Sequence, residues 1–146
     1  MSKQANPIPQ GNYVPATRFG DLIFTAGMTP RSNGVLIKTG KVLCNEAIEN
    51  YTAAVEQAAR NALTAAKNQL AEGERIGRIL SITAYVNAEE GFTKHSAIAD
   101  LASGYFCREL GSAGAGSRAA VGVASLPGNA PVEVSIIAAV EKECSH

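Results

Sequence analysis

The chain has 146 residues, no formal net charge at neutral pH, 46% hydrophobic residues and 18% charged ones. That length fits one domain, which buries roughly 68–70% of the surface its unfolded chain would expose. No uncharged apolar run is long enough for a membrane span, and zero net charge argues against the broad electrostatic attraction behind non-specific nucleic-acid binding. The first ten residues, MSKQANPIPQ, hold one lysine and no apolar core. They read as neither a signal nor a transit peptide, so a cytoplasmic location is expected. Cys44, Cys107 and Cys144 are odd in number and widely scattered, which fits reduced thiols better than a disulfide framework or a metal knuckle.

In chain order, residues 1–10 read as a flexible polar arm and 11–142 as a single domain. Tyr13–Phe19 and Leu22–Ala26 flank Gly20-Asp21, a turn signal, and predict an N-terminal hairpin. Residues 31–41 are polar and read as a loop with a short extra strand at Val35–Ile37. Asn45 is a plausible N-cap, with Glu46 and Glu49 in the first turn where the helix dipole favours carboxylates. From there Ile48, Tyr51, Val55, Ala58, Ala59, Ala62, Leu63, Ala66 and Leu70 recur at helical spacing, predicting a helix to about Ala71 that Gly73 stops.

Ile79–Val86 alternates, with Leu80, Ile82, Ala84 and Val86 opposite Ser81, Thr83 and Tyr85, and predicts a strand. A second helix is expected over Gly91–Leu110, with Phe92, Ile98, Ala102, Tyr105 and Phe106 on one face. Two more strands follow, Arg118–Ala124 and Val132–Val140. The order strand, strand, helix, strand, helix, strand, strand gives an α+β fold, a mixed sheet with two helices packed on one face.

The last two strands flank Ser125–Ala130, which contains Leu-Pro-Gly-Asn, and together they predict an antiparallel hairpin. In that register Arg118 and Glu133 share a face, roughly 13 Å apart along the strands at about 3.3 Å per residue. The small residues Ala120 and Gly122 lie between them. A guanidinium suits forked recognition of a carboxylate, and a carboxylate opposite it suits positioning or deprotonating a water. A one-residue slip would put the pair on opposite faces.

Other groups carry plainer readings. Gly111–Gly116 lacks the preceding strand and following helix of a phosphate loop and reads as a flexible connector. Cys107 reads as a buried small hydrophobe. His95 and His146 belong to no ligand spacing, so no metal site is expected. Tyr13 is a sheet-edge aromatic or a pocket wall.

Gly11-Asn12-Tyr13-Val14, Gly20-Asp21-Leu22-Ile23-Phe24, Gly27-Met28-Thr29-Pro30, Ser117-Arg118-Ala119-Ala120-Val121, and Leu126-Pro127 followed by Val132-Glu133-Val134 resemble the YjgF/RidA family, often labelled L-PSP endoribonucleases. The resemblance runs from about Gly11 to Val140. It implies a chorismate-mutase-like subunit and a homotrimer with a central β-barrel and interfacial pockets. It also implies cofactor-free hydrolysis of reactive 2-imino and 2-enamino acids to 2-keto acids and ammonia. In that chemistry Arg118 would clamp the substrate carboxylate and Glu133 would hold the attacking water. The backbones of Gly27 and Ala120, with the Tyr13 ring, would shape the pocket.

The chain departs from the deaminase pattern at four positions. Ala120 stands in place of cysteine, Ala26 of serine, Met28 of glutamine and Ser96 of asparagine. These changes carry an alternative, a non-catalytic regulatory module binding small carboxylates on the same trimeric fold. An endoribonuclease is third, since there is neither a metal constellation nor a basic run with interleaved aromatics.

Overall fold

The computed structural model describes residues 4–144. The hairpin of β1 (Ala16–Phe19) and β2 (Leu22–Thr25) forms as expected, with Gly20 at a φ of 61° in the turn. The next segment holds two short strands rather than one, β3 (Arg31–Ser32) and β4 (Val35–Leu36). Asn33-Gly34 joins them with φ values of 53° and 82°, the left-handed pair that a tight two-residue hairpin requires.

Helix α1 (Thr52–Lys67) follows a short 3₁₀ turn at Ile48–Tyr51, so it starts later than an Asn45 cap would place it. Tertiary contacts keep the preceding residues out of the helix. Val42 bridges to Ala88, the Cys44 N–H donates to Glu89 Oε1 at 2.6 Å, and the Leu43 N–H donates to the Tyr51 hydroxyl at 2.9 Å. The expected apolar stripe is confirmed by Tyr51, Val55, Ala58, Ala59, Ala62, Leu63 and Ala66, all buried. Its alanines keep α1 close to the sheet.

Strand β5 (Glu74–Asn87) starts five residues before the visible alternation. Its register against the neighbouring strand shifts between Ile76 and Arg78 and again between Ile79 and Ser81. Each shift inserts an extra residue and interrupts the period of two. Leu80 falls at the second shift and is exposed, against its expected place on the buried face. Helix α2 (His95–Leu110) buries Ile98, Ala102, Tyr105 and Phe106 as expected, but Cys107 is exposed rather than core. Gly111–Gly114 form a packed 3₁₀ turn, not a loose connector. A Cβ on Gly114 would lie 2.8 Å from the backbone nitrogen of Cys107.

Strands β6 (Ser117–Val123) and β7 (Val132–Lys142) are both present, but they do not pair. The five-stranded sheet runs β1-β2-β7-β5-β6. Strand β6 lies parallel to β5, with Ile82 opposite Arg118, and β7 lies antiparallel to β5 on its other side. The expected antiparallel hairpin is therefore overturned. Its cause is the connection: α2 spans from the end of β5 to the start of β6, the length of crossover that returns a chain parallel to the strand it left.

Both helices cover one face of this mixed sheet, over Ile23, Ile79, Ile82, Val86, Val132, Val134, Ile136 and Ala138. Residues 4–6 lie against the end of α1, where Asn68 Nδ2 donates to Gln4 O at 2.8 Å and to Asn6 Oδ1 at 2.9 Å. Among the described residues no helix is long and apolar enough to cross a membrane.

Candidate functional site

The new topology separates the two residues expected to face each other. Arg118 shares a row with Ile82 and Ile136, on the face that the helices cover, whereas Glu133 pairs with Tyr85, an odd number of residues along β5. Side chains alternate between faces, so Glu133 belongs to the face the helices leave bare. Arg118 and Glu133 cannot bracket one molecule within a single subunit. The expected sites fall instead into two clusters.

The first cluster is built by the continuation of β2. Beyond Ala26 the chain pairs with β7 once more, Met28 and Val134 exchanging two backbone hydrogen bonds of 2.8 Å. This sets Gly27 beside Glu133. A Cβ at Gly27 would lie 2.6 Å from Glu133 Cδ, so glycine is what lets the carboxylate lie over the main chain. Glu133 is half-buried and has no hydrogen-bond partner among the described residues. Burial pushes its carboxyl above the usual carboxylate range, because desolvation penalises the charged form.

Asn61 of α1 anchors the next stretch, its Nδ2 donating to Thr29 O at 3.1 Å and Arg31 O at 2.9 Å. Tyr13 and Gly27 both line a cavity of about 280 Å³ with Arg31, Arg60 and Asn61. The Tyr13 hydroxyl accepts from the Gln10 N–H at 3.1 Å.

The second cluster lies between edge strand β6 and the start of α2. Arg118, Ala120 and Gly122 form one row facing the helix, opposite Ile82, Ala84 and Val86. The guanidinium is held by four hydrogen bonds: Nη1 to Asp100 Oδ1 at 2.8 Å and to Ser103 Oγ at 3.0 Å, and Nη2 to Ser96 Oγ at 2.8 Å and Ser96 O at 3.3 Å. Those bonds fix its direction. They leave it one-fifth exposed, and Asp100 largely so.

Of the groups that hold Arg118, sequence reasoning names only Ser96, as a departure from the deaminase pattern, and misses Asp100 and Ser103. The signal was the polar series Ser96, Asp100, Ser103 at helical spacing, which puts three oxygens on one side of α2. His95 belongs to no ligand spacing in the sequence, yet it reaches the same row: a Cβ on Gly122 would be 2.6 Å from its Nε2. His146 lies outside the described residues. Cys44 makes a poor nucleophile, because hydrogen bonding to Glu89 pushes its thiol up and it is the thiolate that attacks. Among the described residues no three His, Cys, Asp or Glu side chains come together to hold a metal ion.

Two helices over one face of a five-stranded mixed sheet, with an arginine fixed on the edge strand and a glutamate on the bare face, define an α+β subunit of the YjgF type. The chain belongs to the endoribonuclease L-PSP family, also called YjgF/RidA, whose model matches residues 3–140. It is 28% identical over 130 residues to Protein TCP17 of Trypanosoma cruzi, covering 88% of this chain and 81% of that one.

Among solved structures it resembles Atu1372 of Agrobacterium tumefaciens, a protein of unknown function, with 33% identity, a TM-score of 0.80, and 92% and 86% of the two chains covered. The YjgF gene product of E. coli shares the fold, with 24% identity, a TM-score of 0.67 and 92% of each chain covered.

Proposed function

We propose that the protein is a cofactor-free hydrolase that deaminates small, reactive 2-imino and 2-enamino acids to 2-keto acids and ammonia. One observation carries this reading: the Glu133 carboxylate is half-buried, unpartnered among the described residues and raised by burial above Gly27. A carboxylate in that condition is suited to take a proton from water. In this reading a substrate carboxylate takes the places of the exposed Asp100 carboxylate and of Ser96 on the Arg118 guanidinium, whose four Nη hydrogens are otherwise given to Asp100, Ser103 and Ser96.

Because these two groups occupy opposite faces of one subunit, the reaction is assigned to the junction between subunits of a homotrimer. The bare sheet face supports self-association, for it exposes Leu22, Phe24 and Val121, apolar groups that water disfavours. In this arrangement Arg118 of one subunit and Glu133 of a neighbouring subunit flank one pocket, which Tyr13, Gly27 and the backbone of Ala120 shape. Arg118 holds the carboxylate of the protonated imine. Water oxygen bonds to C2 while the C=N pair moves onto nitrogen, and Glu133 takes the proton that water gives up. Glu133 returns that proton to the amine nitrogen, and as the C–N bond breaks and ammonia leaves, the remaining hydroxyl gives its proton to the Glu133 carboxylate and the carbonyl forms.

A second reading is a carboxylate-binding module without turnover. Ala26, Met28 and Ala120 favour it, being apolar or small where the family's deaminases carry polar side chains. The deciding experiment couples the protein to an amino-acid oxidase or dehydratase that generates imines and follows 2-keto acid release. Acceleration that disappears in Arg118→Ala supports the hydrolase. Binding of 2-keto acids with no acceleration across small and large substrates supports the module.

A further inference from the structure

We propose that the cavity between α1 and residues 4–10 is a binding site for a small dicarboxylate, with one carboxylate held by Arg31 and the other by Arg60. The site uses neither Arg118 nor Glu133, so it stands or falls independently of the imine chemistry.

Charge carries the first part. The cavity of about 280 Å³ is lined by Arg31 and Arg60, and among the described residues no aspartate or glutamate lines it. Its size is close to the roughly 300 Å³ at which small-molecule sites begin, which suits a short diacid. Arg18, Arg75, Arg108 and Arg118 each pair with a carboxylate. Arg31 and Arg60 pair with none among the described residues. A cleft lined by charges of one sign concentrates ions of the other.

The condition of the two guanidinium groups carries the second part. Arg31 is half-buried, and the N–H it gives to a described acceptor is that of Nη1, to Gly34 O at 2.8 Å. Its Nε is buried and has no partner among the described residues. The group is thus anchored at one corner with donors to spare. A partly buried cation without a counter-charge is costly, and a bound carboxylate offsets that cost. Arg60 is exposed, and two contacts steer it: its Nη1 donates to Gln57 Oε1 at 3.1 Å, and its guanidinium lies 5.4 Å from the centre of the Tyr105 ring. Gln57 donates to Asn61 Oδ1 at 2.9 Å, and Asn61 donates to Arg31 O. This relay along one face of α1 joins Arg60 to the main chain of Arg31, so both arginines belong to one hydrogen-bonded wall.

The polar arm supplies the opposite wall, with Gln4, Asn6 and Ile8 lining the cavity. Asn68 holds Gln4 and Asn6 against α1. Ile8 reaches the β3–β4 turn, where a Cβ on Gly34 would lie 3.6 Å from its Cδ1. The arm therefore spans from the helix to the turn that anchors Arg31.

Calorimetry tests the proposal on the full chain, titrated with succinate and, beside it, with acetate and inorganic phosphate. Succinate is expected to bind, and acetate to bind at least about tenfold more weakly because it lacks the second carboxylate. Arg60→Gln is expected to lose about tenfold in succinate affinity with its circular dichroism unchanged, since the residue is exposed. Arg31→Lys keeps the charge, loses the fork and is expected to weaken binding as much. Arg118→Ala is expected to keep the wild-type affinity. Failure of succinate to bind overturns the proposal, as does wild-type affinity in Arg60→Gln. Binding lost in Arg118→Ala overturns it by moving the ligand to the other cluster. Phosphate or acetate bound as tightly as succinate overturns the dicarboxylate.

Discussion

Gly27 and Glu133 are fitted to each other: the carboxylate occupies the space a Cβ at Gly27 would need, 2.6 Å from Glu133 Cδ. The fit depends on Met28 and Val134 pairing beyond the regular end of β2. Gly27→Ala should therefore displace the carboxylate. Stability should fall by about 1–2 kcal/mol, as for added volume in a packed site, read from urea midpoints. Imine turnover should fall on the order of 10²-fold, the effect of a group misplaced by about 1 Å. Turnover at the wild-type rate would show that Glu133 is not positioned by this contact.

Glu133→Gln separates stability from function. Burial raises the folded-state pKa of Glu133, so its contribution to stability is present below the unfolded pKa and lost as pH rises through the folded value. At neutral pH the wild type carries the cost of an ionised, half-buried carboxylate, and the neutral amide does not. The variant should melt higher than wild type at neutral pH, with the gap closing in acid, while turnover falls at least about 10²-fold. Equal melting temperatures at neutral pH would contradict the burial argument.

Asn61 is buried in α1 and satisfies the carbonyls of Thr29 and Arg31. Asn61→Leu leaves both carbonyls without that donor. A loss of about 2–3 kcal/mol is expected, which for a chain of this length lowers the melting temperature by about 4–12 °C. Scanning calorimetry reads it directly, and a shift under about 1 °C would mean that water replaces the amide.

An acid-sensitive clamp ties β1 to the start of β5. Arg18 donates to both oxygens of Glu74 at 2.6 and 2.8 Å, and the Ala71 N–H donates to the same carboxylate at 2.7 Å. These bonds, Arg18 first, lower the Glu74 carboxyl from 4.5 to about 2. A lowered carboxyl stabilises above its unfolded pKa and loses that contribution as pH falls through the folded value. Urea midpoints should decline between about pH 4.5 and about pH 2, and Glu74→Gln should flatten that part of the profile. An unchanged profile in the variant would assign the acid sensitivity elsewhere.

Local signals in the sequence were read correctly where one element alone decides its pattern. The α1 stripe and the alternation of β7 survive because each face meets a single environment, core on one side and polar or solvent-facing surroundings on the other. The signals failed where a neighbour intervenes. Asn45 looks like a cap, but the Val42–Ala88 bridge and the Cys44–Glu89 hydrogen bond hold that segment in a turn. Leu80 fits an alternating strand, but the register shift beside it turns it outward. The Asn33-Gly34 turn signal is legible in the sequence, but the strands beside it are only two residues long and carry no alternation of their own.

The sequence by itself determined the kinds of elements, their order, the helix faces that pack and the family, and it singled out Arg118 and Glu133 as candidates. Tertiary structure alone decided which strands are neighbours. Alternation says that Arg118 and Glu133 each point to one face of their own strand, but faces can be compared only through the strand between them. That strand is β5, and α2 returns the chain parallel to it, so the pair ends on opposite faces. The same crossover brings Arg118 to Ser96 and Gly122 to His95, contacts that no local spacing could encode because they join a helix start to an edge strand.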